Sequence, residues 1–188
     1  MILEGIVTTL NADGSPNIAP MGALVDERMR QLALRPYRTA ATYVNLRRTG
    51  QGVFHVTDDV ELLARAAVGR LERLPALMRA HKVDGVVLTD TCRWYELRVS
   101  QLDDRAERTT ITCEVVGSGR VRDFLGFNRA KHAVLEAAIL ATRLTQLPAD
   151  SICAEFRRLA VIVDKTAGPQ ERRAFQFLDE YVGAALGQ

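Results

Sequence analysis

The sequence predicts an α+β fold, a six-stranded antiparallel β-barrel followed by a C-terminal helical appendage. Two observations lead to this prediction. Through the first two thirds of the chain, short stretches rich in Ile, Val and Thr alternate between apolar and polar positions, which is typical of strands with one buried face. About six such stretches with short connections favour a small barrel. From Asn128 onward three amphipathic helical periods replace them. We assign residues 1–125 to the barrel domain and residues 126–188 to the helical part.

Composition sets the broad class of the protein. The chain has 188 residues, of which 47% are hydrophobic, and a net charge of +2. It is long enough to bury a core without disulfides, and its scattered basic residues do not predict a nucleic-acid partner. The three cysteines are odd in number and widely spaced, which favours reduced thiols and a cytoplasmic location. We find no signal peptide and no membrane-length apolar run, so no membrane partner is expected.

The first two strands are expected at Leu3–Leu10 and Asn17–Val25, joined by a turn around Asp13-Gly14. Pro20 cannot donate a ladder hydrogen bond, so it places the second strand at an edge or a bulge. Gly22 allows something to approach the backbone closely. Together they indicate an edge that could receive a flat ligand, although simple protection of a free edge explains them as well.

The elements that follow are a third strand at 31–34, a helix at 39–48 that turns Tyr43 and Val44 inward, and a fourth strand at 52–57. Asp58 and Asp59 begin a second helix through an acidic capping box. Residues 69–91 are the least clear, with a helical turn at 76–81 and a strand at 86–88. Two alternating strands at 94–100 and 110–116 complete the barrel, with Leu97, Ile111 and Cys113 on the buried faces and Glu96 on a wet face. The apolar positions of the last three helices are Ala133, Ala137, Leu140 and Leu144, then Ile152, Phe156, Leu159 and Val163, then Phe175, Leu178, Val182 and Ala185.

The strongest candidate site lies where the first helix begins. Arg35 and Arg38 bring positive charge, and Thr39 and Thr42 bring hydroxyl groups on one helical face. The first amides of a helix have no internal partner, so this combination predicts a site for a phosphate-sized anion. The alternative is that Thr39 only caps the helix and that both arginines are only solvated.

A search for catalytic motifs finds none. Gly117-Ser118-Gly119 lacks the third glycine of a dinucleotide fingerprint, and neither a P-loop nor a nucleophile elbow occurs. His55 with Asp58 and Asp59 is the one candidate cluster for a metal, but the acidic pair is explained by the start of a helix. We therefore predict no metal site and assign no catalytic residue. Redox chemistry carried by a phosphorylated cofactor remains compatible with this pattern.

Two segments make the sequence resemble a known family. The hairpin MILEGIVTTLNADGSPNIAPMG, followed by LRPYRTAATYVNLRRTGQGVFHVTDDVELLARAA, resembles a domain family of unknown function within the FMN-binding split-barrel superfamily. That superfamily also contains flavin reductases and pyridoxamine-phosphate oxidases. The later segment FNRAKHAVLEAAILATRL is similar to the helical part of the same family.

The resemblance implies a Greek-key-like split barrel that forms a homodimer, with non-covalent FMN at the dimer interface. The residues implied to bind FMN fall in three groups. The phosphate would meet Arg35, Arg38, Thr39 and Thr42, with Asn45 one turn further along the helix. The isoalloxazine ring would lie against Ala19, Pro20, Met21 and Gly22, and the end of the fourth strand would bring His55, Thr57 and Asp58 near the flavin or the partner subunit.

The function that follows from the resemblance is an FMN-dependent oxidoreductase of the flavin-reductase type, acting on a small molecule or with a nicotinamide donor. His55 is the only histidine in the motif region, and a packed histidine at a strand end is the simpler interpretation of it. Two alternatives stay open. One is a non-enzymatic FMN- or nucleotide-binding or assembly module, which the resemblance links to pterin-dependent one-carbon metabolism. The other is a site for another phosphorylated ligand, such as pyridoxal phosphate.

Overall fold

The computed structural model describes residues 1–187, and the chain divides into two compact units. The first unit consists of Met1–Thr57 and Leu74–Phe124, and the second of Asp58–Arg73 and the chain from Leu125 onward. The predicted boundary, after residue 125, lies one residue beyond the third crossing between the units, which falls between Phe124 and Leu125. It does not account for residues 58–73, which pack with the C-terminal helices.

The first unit contains a closed antiparallel barrel of six strands, as the sequence predicts. The strands of residues 1–187 are β1 (Ile2–Leu10), β2 (Pro16–Val25), β3 (Gln31–Leu34), β4 (Gln51–Val56), β5 (Leu77–Arg79), β6 (Val86–Leu88), β7 (Arg93–Asp103) and β8 (Thr110–Arg120). The order around the barrel is β1, β2, β3, β8, β7 and β4, and β4 closes it by pairing with β1. Strands β5 and β6 form a separate two-stranded hairpin.

The barrel interior follows the alternation of its strands. Leu97 of β7 and Ile111 and Cys113 of β8 are fully buried in one apolar cluster with Phe54 and Val7. The alternation of the sequence predicts that Leu97, Ile111 and Cys113 lie on the inner face, and the structure confirms this. Burial raises the pKa of the Cys113 thiol to about 12, so this cysteine behaves as a small apolar side chain.

The β5–β6 hairpin covers the outer face of the barrel. Val83 and Val87 of the hairpin region pack with Val53 of β4 and Trp94 of β7 in a second apolar cluster. The helical turn predicted at 76–81 is wrong, because residues 77–79 pair with β6 as a strand. Short apolar runs do not distinguish a strand from a helical turn, and here the pairing partner decides.

Five helices lie in the described part of the chain, residues 1–187. They are α1 (Ala41–Thr49) in the first unit, and α2 (Val60–Ala67), α3 (Arg129–Ala141), α4 (Ala149–Thr166) and α5 (Pro169–Leu186) in the second. No helix within residues 1–187 combines the length and the apolar character needed to cross a bilayer.

Helical periodicity predicts the apolar face of α4 best. Its four predicted residues, Ile152, Phe156, Leu159 and Val163, are all buried. Pro169 is the first residue of α5, as expected. Two predicted positions are wrong, because Ala185 is exposed and Leu144 lies beyond the end of α3.

Two polar interactions organise the second unit. Asp59 caps α2 by accepting a hydrogen bond from the Leu62 amide at 3.0 Å. The predicted capping box does not form, because the residue at the N3 position is Leu62 and Glu61 pairs with Arg65 instead. Lys131 of α3 and Glu171 of α5 form an ion pair at 2.8 Å with little exposure to solvent.

Candidate functional site

Helix α1 begins two residues later than predicted. Its N-cap is Ala40, which has extended backbone angles, and within residues 1–187 no side chain caps the helix. Thr39 is exposed and precedes the N-cap, so the alternative that Thr39 only caps α1 is wrong. Because the first amides of a helix have no internal partner, the first turn of α1 offers backbone donors to a ligand.

The connection from β3 to α1 carries the predicted arginines. Arg35 and Arg38 are both exposed. The backbone of this connection, residues 35–40, is held by the connection from β7 to β8, residues 104–109. The amide of Arg38 donates to the Glu107 carbonyl at 2.9 Å, and the Pro36 carbonyl accepts from both the amide and the hydroxyl of Thr109, at 2.9 and 2.8 Å. We call these two paired segments the basic junction.

The basic junction contains a third arginine that sequence reasoning missed. Tyr37 and Arg108 form an isolated β-bridge. The Arg108 Nε donates to the Arg35 carbonyl at 3.4 Å, and its guanidinium lies 5.8 Å from the centre of the Tyr37 ring. Arg108 is some seventy positions away in sequence, and only the pairing of the two connections brings it to Arg35.

The inner side of α1 differs from the prediction. Val44 is 52% exposed, whereas Thr42, Tyr43, Asn45 and Leu46 are buried. Helical spacing allows several choices of face, and the polar side chains Thr42 and Asn45 turn inward because they find polar partners there.

Those partners form a network at the end of the barrel. The Asn17 side-chain amide donates to the Thr42 hydroxyl at 3.0 Å and to the Thr9 hydroxyl at 3.1 Å. The Asn45 amide donates to Thr9 at 3.0 Å and to Asn11 at 2.9 Å. Thr42 and Asn45, which the sequence assigned to the cofactor, thus attach α1 to the β1–β2 hairpin.

Strand β2 has an open edge, as Pro20 predicts. Strand β3 pairs with β2 only at Leu24 and Val25. Within residues 1–187 no strand pairs with residues 16–23 on the side away from β1. Asn17, near the start of this open edge, contacts Thr42 in the first turn of α1, so the two predicted halves of the site are adjacent.

The side chains along β2 do not all face outward. Met21 packs against the barrel core. At Gly22 a Cβ would lie 2.8 Å from both the Glu4 Oε1 and the Ile2 Cγ2 atoms. The close approach that Gly22 permits is therefore made by these two β1 side chains. Ala19 and Pro20 remain half-buried along the open edge.

His55 is a packed histidine. It is fully buried, its Nδ1 donates to the Ile6 carbonyl at 3.1 Å, and its Nε2 accepts from the Leu88 amide at 3.1 Å. Because a carbonyl only accepts and an amide only donates, these partners fix the neutral Nδ1–H tautomer. Burial lowers the pKa of His55 to about 4, against the opposing effect of the Ile6 hydrogen bond. Both ring nitrogens are used by the backbone, which leaves neither for a ligand.

The last two predicted residues follow β4. Thr57 is buried at the end of the first unit. Asp58 belongs to the second unit, where its carboxylate accepts from the Leu125 amide at 3.5 Å and its carbonyl accepts from Lys131 Nζ at 2.7 Å. The contacts of Asp58 thus serve the packing of the helical unit.

Comparison with solved structures gives a match over nearly the whole chain. The FMN-bound protein MM1853 from Methanosarcina mazei superposes with a TM-score of 0.78 at 21% identity, covering 96% of this chain and 94% of that one. Flavoredoxin of Desulfovibrio vulgaris matches with a TM-score of 0.54 at 14% identity, over 63% of this chain and 69% of that one. The flavin reductase of styrene monooxygenase from Pseudomonas putida matches at 0.52 and 10% identity, over 65% and 82%.

These likenesses establish the fold as that of the FMN-binding barrel proteins. No curated protein matches the sequence. Two family models do, and together they span most of the chain. Residues 3–122 match the N-terminal domain of the protein family of unknown function DUF447, and residues 128–180 match a second DUF447 domain. The chain therefore belongs to the DUF447 family.

Proposed function

We propose that this protein is an FMN-binding flavoprotein that acts as an oxidoreductase of the flavin-reductase type. The observation that carries the proposal is the juxtaposition of the uncapped, arginine-flanked start of α1 with the open edge of β2. The likeness to an FMN-bound protein over 96% of the chain supports it.

The start of α1 fits the phosphate of FMN. A phosphomonoester carries close to two negative charges at neutral pH. The first amides of α1 and the guanidinium groups of Arg35 and Arg38 provide donors and positive charge at one exposed place. Thr39 adds an exposed hydroxyl beside them. Thr42 and Asn45 do not contact the phosphate in this proposal; they hold α1 in position through their hydrogen bonds to the β1–β2 hairpin.

The open edge of β2 fits the isoalloxazine ring. The ring is flat, with an apolar body and a pyrimidine edge that requires hydrogen-bonding partners. Residues 16–23 offer backbone groups that no second strand uses, and Ala19 and Pro20 offer a small apolar wall.

Bound FMN would supply reversible hydride transfer, and the chain would bind and orient it. The buried, doubly bonded His55 does not serve as an acid or base in this proposal. The flavin reductase of styrene monooxygenase and an NADH:FAD oxidoreductase of Streptomyces globisporus are among the structural neighbours, and they support a reductase with a nicotinamide donor. That both nitrogens of His55 are used by the backbone also supports the second candidate, a flavin-binding module without its own catalysis.

The first experiment measures flavin in the purified protein, by its absorption spectrum and by the mass of the released cofactor. We expect FMN. Replacing Arg35 or Arg38 by Ala should weaken FMN binding about tenfold or more, since each removes a charge-assisted hydrogen bond. Arg28→Ala, at an exposed arginine in the β2–β3 connection, is the matched control. Colourless protein that takes up no added FMN would overturn the proposal.

A second experiment separates the two candidates. The FMN-loaded protein is mixed with NADH or NADPH, and loss of the oxidised flavin absorption is followed in a stopped-flow instrument. Bleaching within seconds supports a reductase. Bleaching no faster than that of free FMN supports a binding module.

We further propose that the protein is a homodimer. Ile2 and Leu24 face each other across β1 and β2, and they are 67% and 51% exposed. Exposed apolar side chains on adjacent strands favour burial against a second copy. Light scattering should give twice the mass of the chain, and Leu24→Arg should halve it. A monomeric wild type would refute this part.

A further inference from the structure

The basic junction carries more positive charge than its own carboxylates balance. Its two segments, residues 35–40 and 104–109, contain four arginines and two acidic residues, and a third carboxylate, that of Asp103, directly precedes the second segment. Asp104 already accepts a hydrogen bond from the Tyr43 hydroxyl at 2.7 Å. Holding like charges together on a rigid surface is unfavourable unless an anion joins them.

The four arginines are not equivalent. Arg105 forms two hydrogen bonds to the Asp103 carboxylate, at 2.9 and 2.6 Å, and is neutralised by it. Within residues 1–187 no carboxylate lies within 4.0 Å of the guanidinium nitrogens of Arg35, Arg38 or Arg108. The excess charge of the junction is therefore carried by these three side chains.

Arg108 is also oriented. Its Nε is attached to the Arg35 carbonyl, and the Tyr37 ring lies beneath its guanidinium. Guanidinium has five N–H donors, and these contacts use one of them. The two terminal nitrogens stay available on an exposed side chain, next to the backbone of Arg35.

We infer that Arg108 is a phosphate-binding residue of the flavin site, supplied by the β7–β8 connection, and that it makes the site select a phosphorylated flavin over riboflavin. This inference rests on the proposed function. The phosphate would lie between the two segments of the basic junction, with Arg35 and Arg38 on one segment and Arg108 on the other. The terminal nitrogens of a guanidinium can donate to two phosphate oxygens at once, whereas a lysine ammonium acts as a single point charge.

The test compares FMN with riboflavin, which differ in the phosphate group. Full-length protein freed of flavin is titrated with each, and quenching of flavin fluorescence gives the two dissociation constants. Arg108→Ala should weaken FMN binding about tenfold and leave riboflavin binding within about twofold. Arg108→Lys should fall between wild type and Arg108→Ala. Arg105→Ala is the matched control from the same connection, and it should bind both flavins as the wild type does.

Two results would overturn the assignment. Unchanged FMN binding by Arg108→Ala would remove Arg108 from the site. Equal weakening for FMN and riboflavin, with a lowered unfolding temperature, would show that Arg108 only supports the junction. If the wild type binds neither flavin, the proposed function fails, and titration with inorganic phosphate then decides about Arg108. If the wild type binds phosphate and Arg108→Ala does not, Arg108 still belongs to an anion site. If the wild type does not bind phosphate either, the flavin site and the assignment of Arg108 are both wrong.

Discussion

The side-chain amide of Asn17, at the start of the open edge of β2, donates to the hydroxyl of Thr42 in the first turn of α1 at 3.0 Å. This bond joins the two halves of the proposed flavin site. It sets where the first amides of α1 stand relative to the strand edge, and therefore how far a bound phosphate lies from a bound ring.

We expect Asn17→Ala to weaken FMN binding about three- to tenfold and to lower the free energy of unfolding by about 1–3 kcal/mol, because it removes the hydrogen bonds to both Thr42 and Thr9. The affinity for inorganic phosphate should change little, because the first turn of α1 itself persists. Fluorescence titration and urea unfolding measure the two effects. A lower free energy of unfolding with unchanged FMN affinity would show that Asn17 acts on stability alone.

Protonation of His55 should make the barrel sensitive to acid. The pKa of His55 is about 4 in the folded protein, against an ordinary 6.5. Between these values the unfolded chain binds the additional proton, so stability falls as the pH falls from about 6.5 to about 4. The shift corresponds to about 3 kcal/mol.

The measurement is urea unfolding of the flavin-free protein from pH 7 to pH 4, for wild type and His55→Gln. Carboxylates contribute equally to both profiles, so the difference between them isolates the histidine. We expect the variant to be less stable at pH 7 and its profile to be flatter. Parallel profiles would contradict the assignment of a buried neutral ring.

Glu96 should hold the β5–β6 hairpin on the barrel. The sequence places it on the wet face of β7, yet it is fully buried, and this prediction is wrong. Its carboxylate accepts from the amides of His81 and Val83, at 2.8 and 2.9 Å, and from that of Lys82. The loop that supplies these donors belongs to the region in which sequence reasoning was weakest.

Glu96→Ala should therefore leave three amides without their acceptor and lower stability by roughly 2–4 kcal/mol. Trypsin should cut faster after the exposed Arg79 and Lys82. Glu114→Ala, at an exposed glutamate of β8, is the control and should behave as the wild type. A hairpin equally resistant in both variants would refute the anchoring role.

The Lys131–Glu171 ion pair offers a test of the helical unit. The side chains are 18% and 8% exposed, so Lys131→Met should cost about 3–5 kcal/mol, because it leaves the Glu171 carboxylate without its cation and the Asp58 carbonyl without its Nζ donor. Adding Glu171→Met should recover part of the loss. The exposed pair Arg158–Glu155 is the control, and Arg158→Ala should change stability by less than about 1 kcal/mol. Thermal unfolding compares the variants, and additive effects of the two Met substitutions would contradict the coupling.

Sequence reasoning succeeded where one local period decides the outcome. The inner faces of α4 and β8 follow from spacing alone, because each has a single apolar face. It failed where distant partners decide. Thr42 and Asn45 turn inward because of the β1–β2 hairpin, Glu96 is buried because of the 81–83 loop, and Arg108 joins Arg35 through the pairing of two connections. None of these partners leaves a local pattern.

The position of α2 has a consequence for how the molecule is made. Its residues Asp59 and Glu61 bond to Gln170 and Arg173, more than a hundred positions later. On the ribosome, α2 emerges long before its partners in α5, and at roughly 5–20 residues per second the delay is about 5–20 seconds. A chain truncated at the end of the N-terminal family domain, at residue 122, would lack α5, and we expect the face of α2 that packs there to stay exposed.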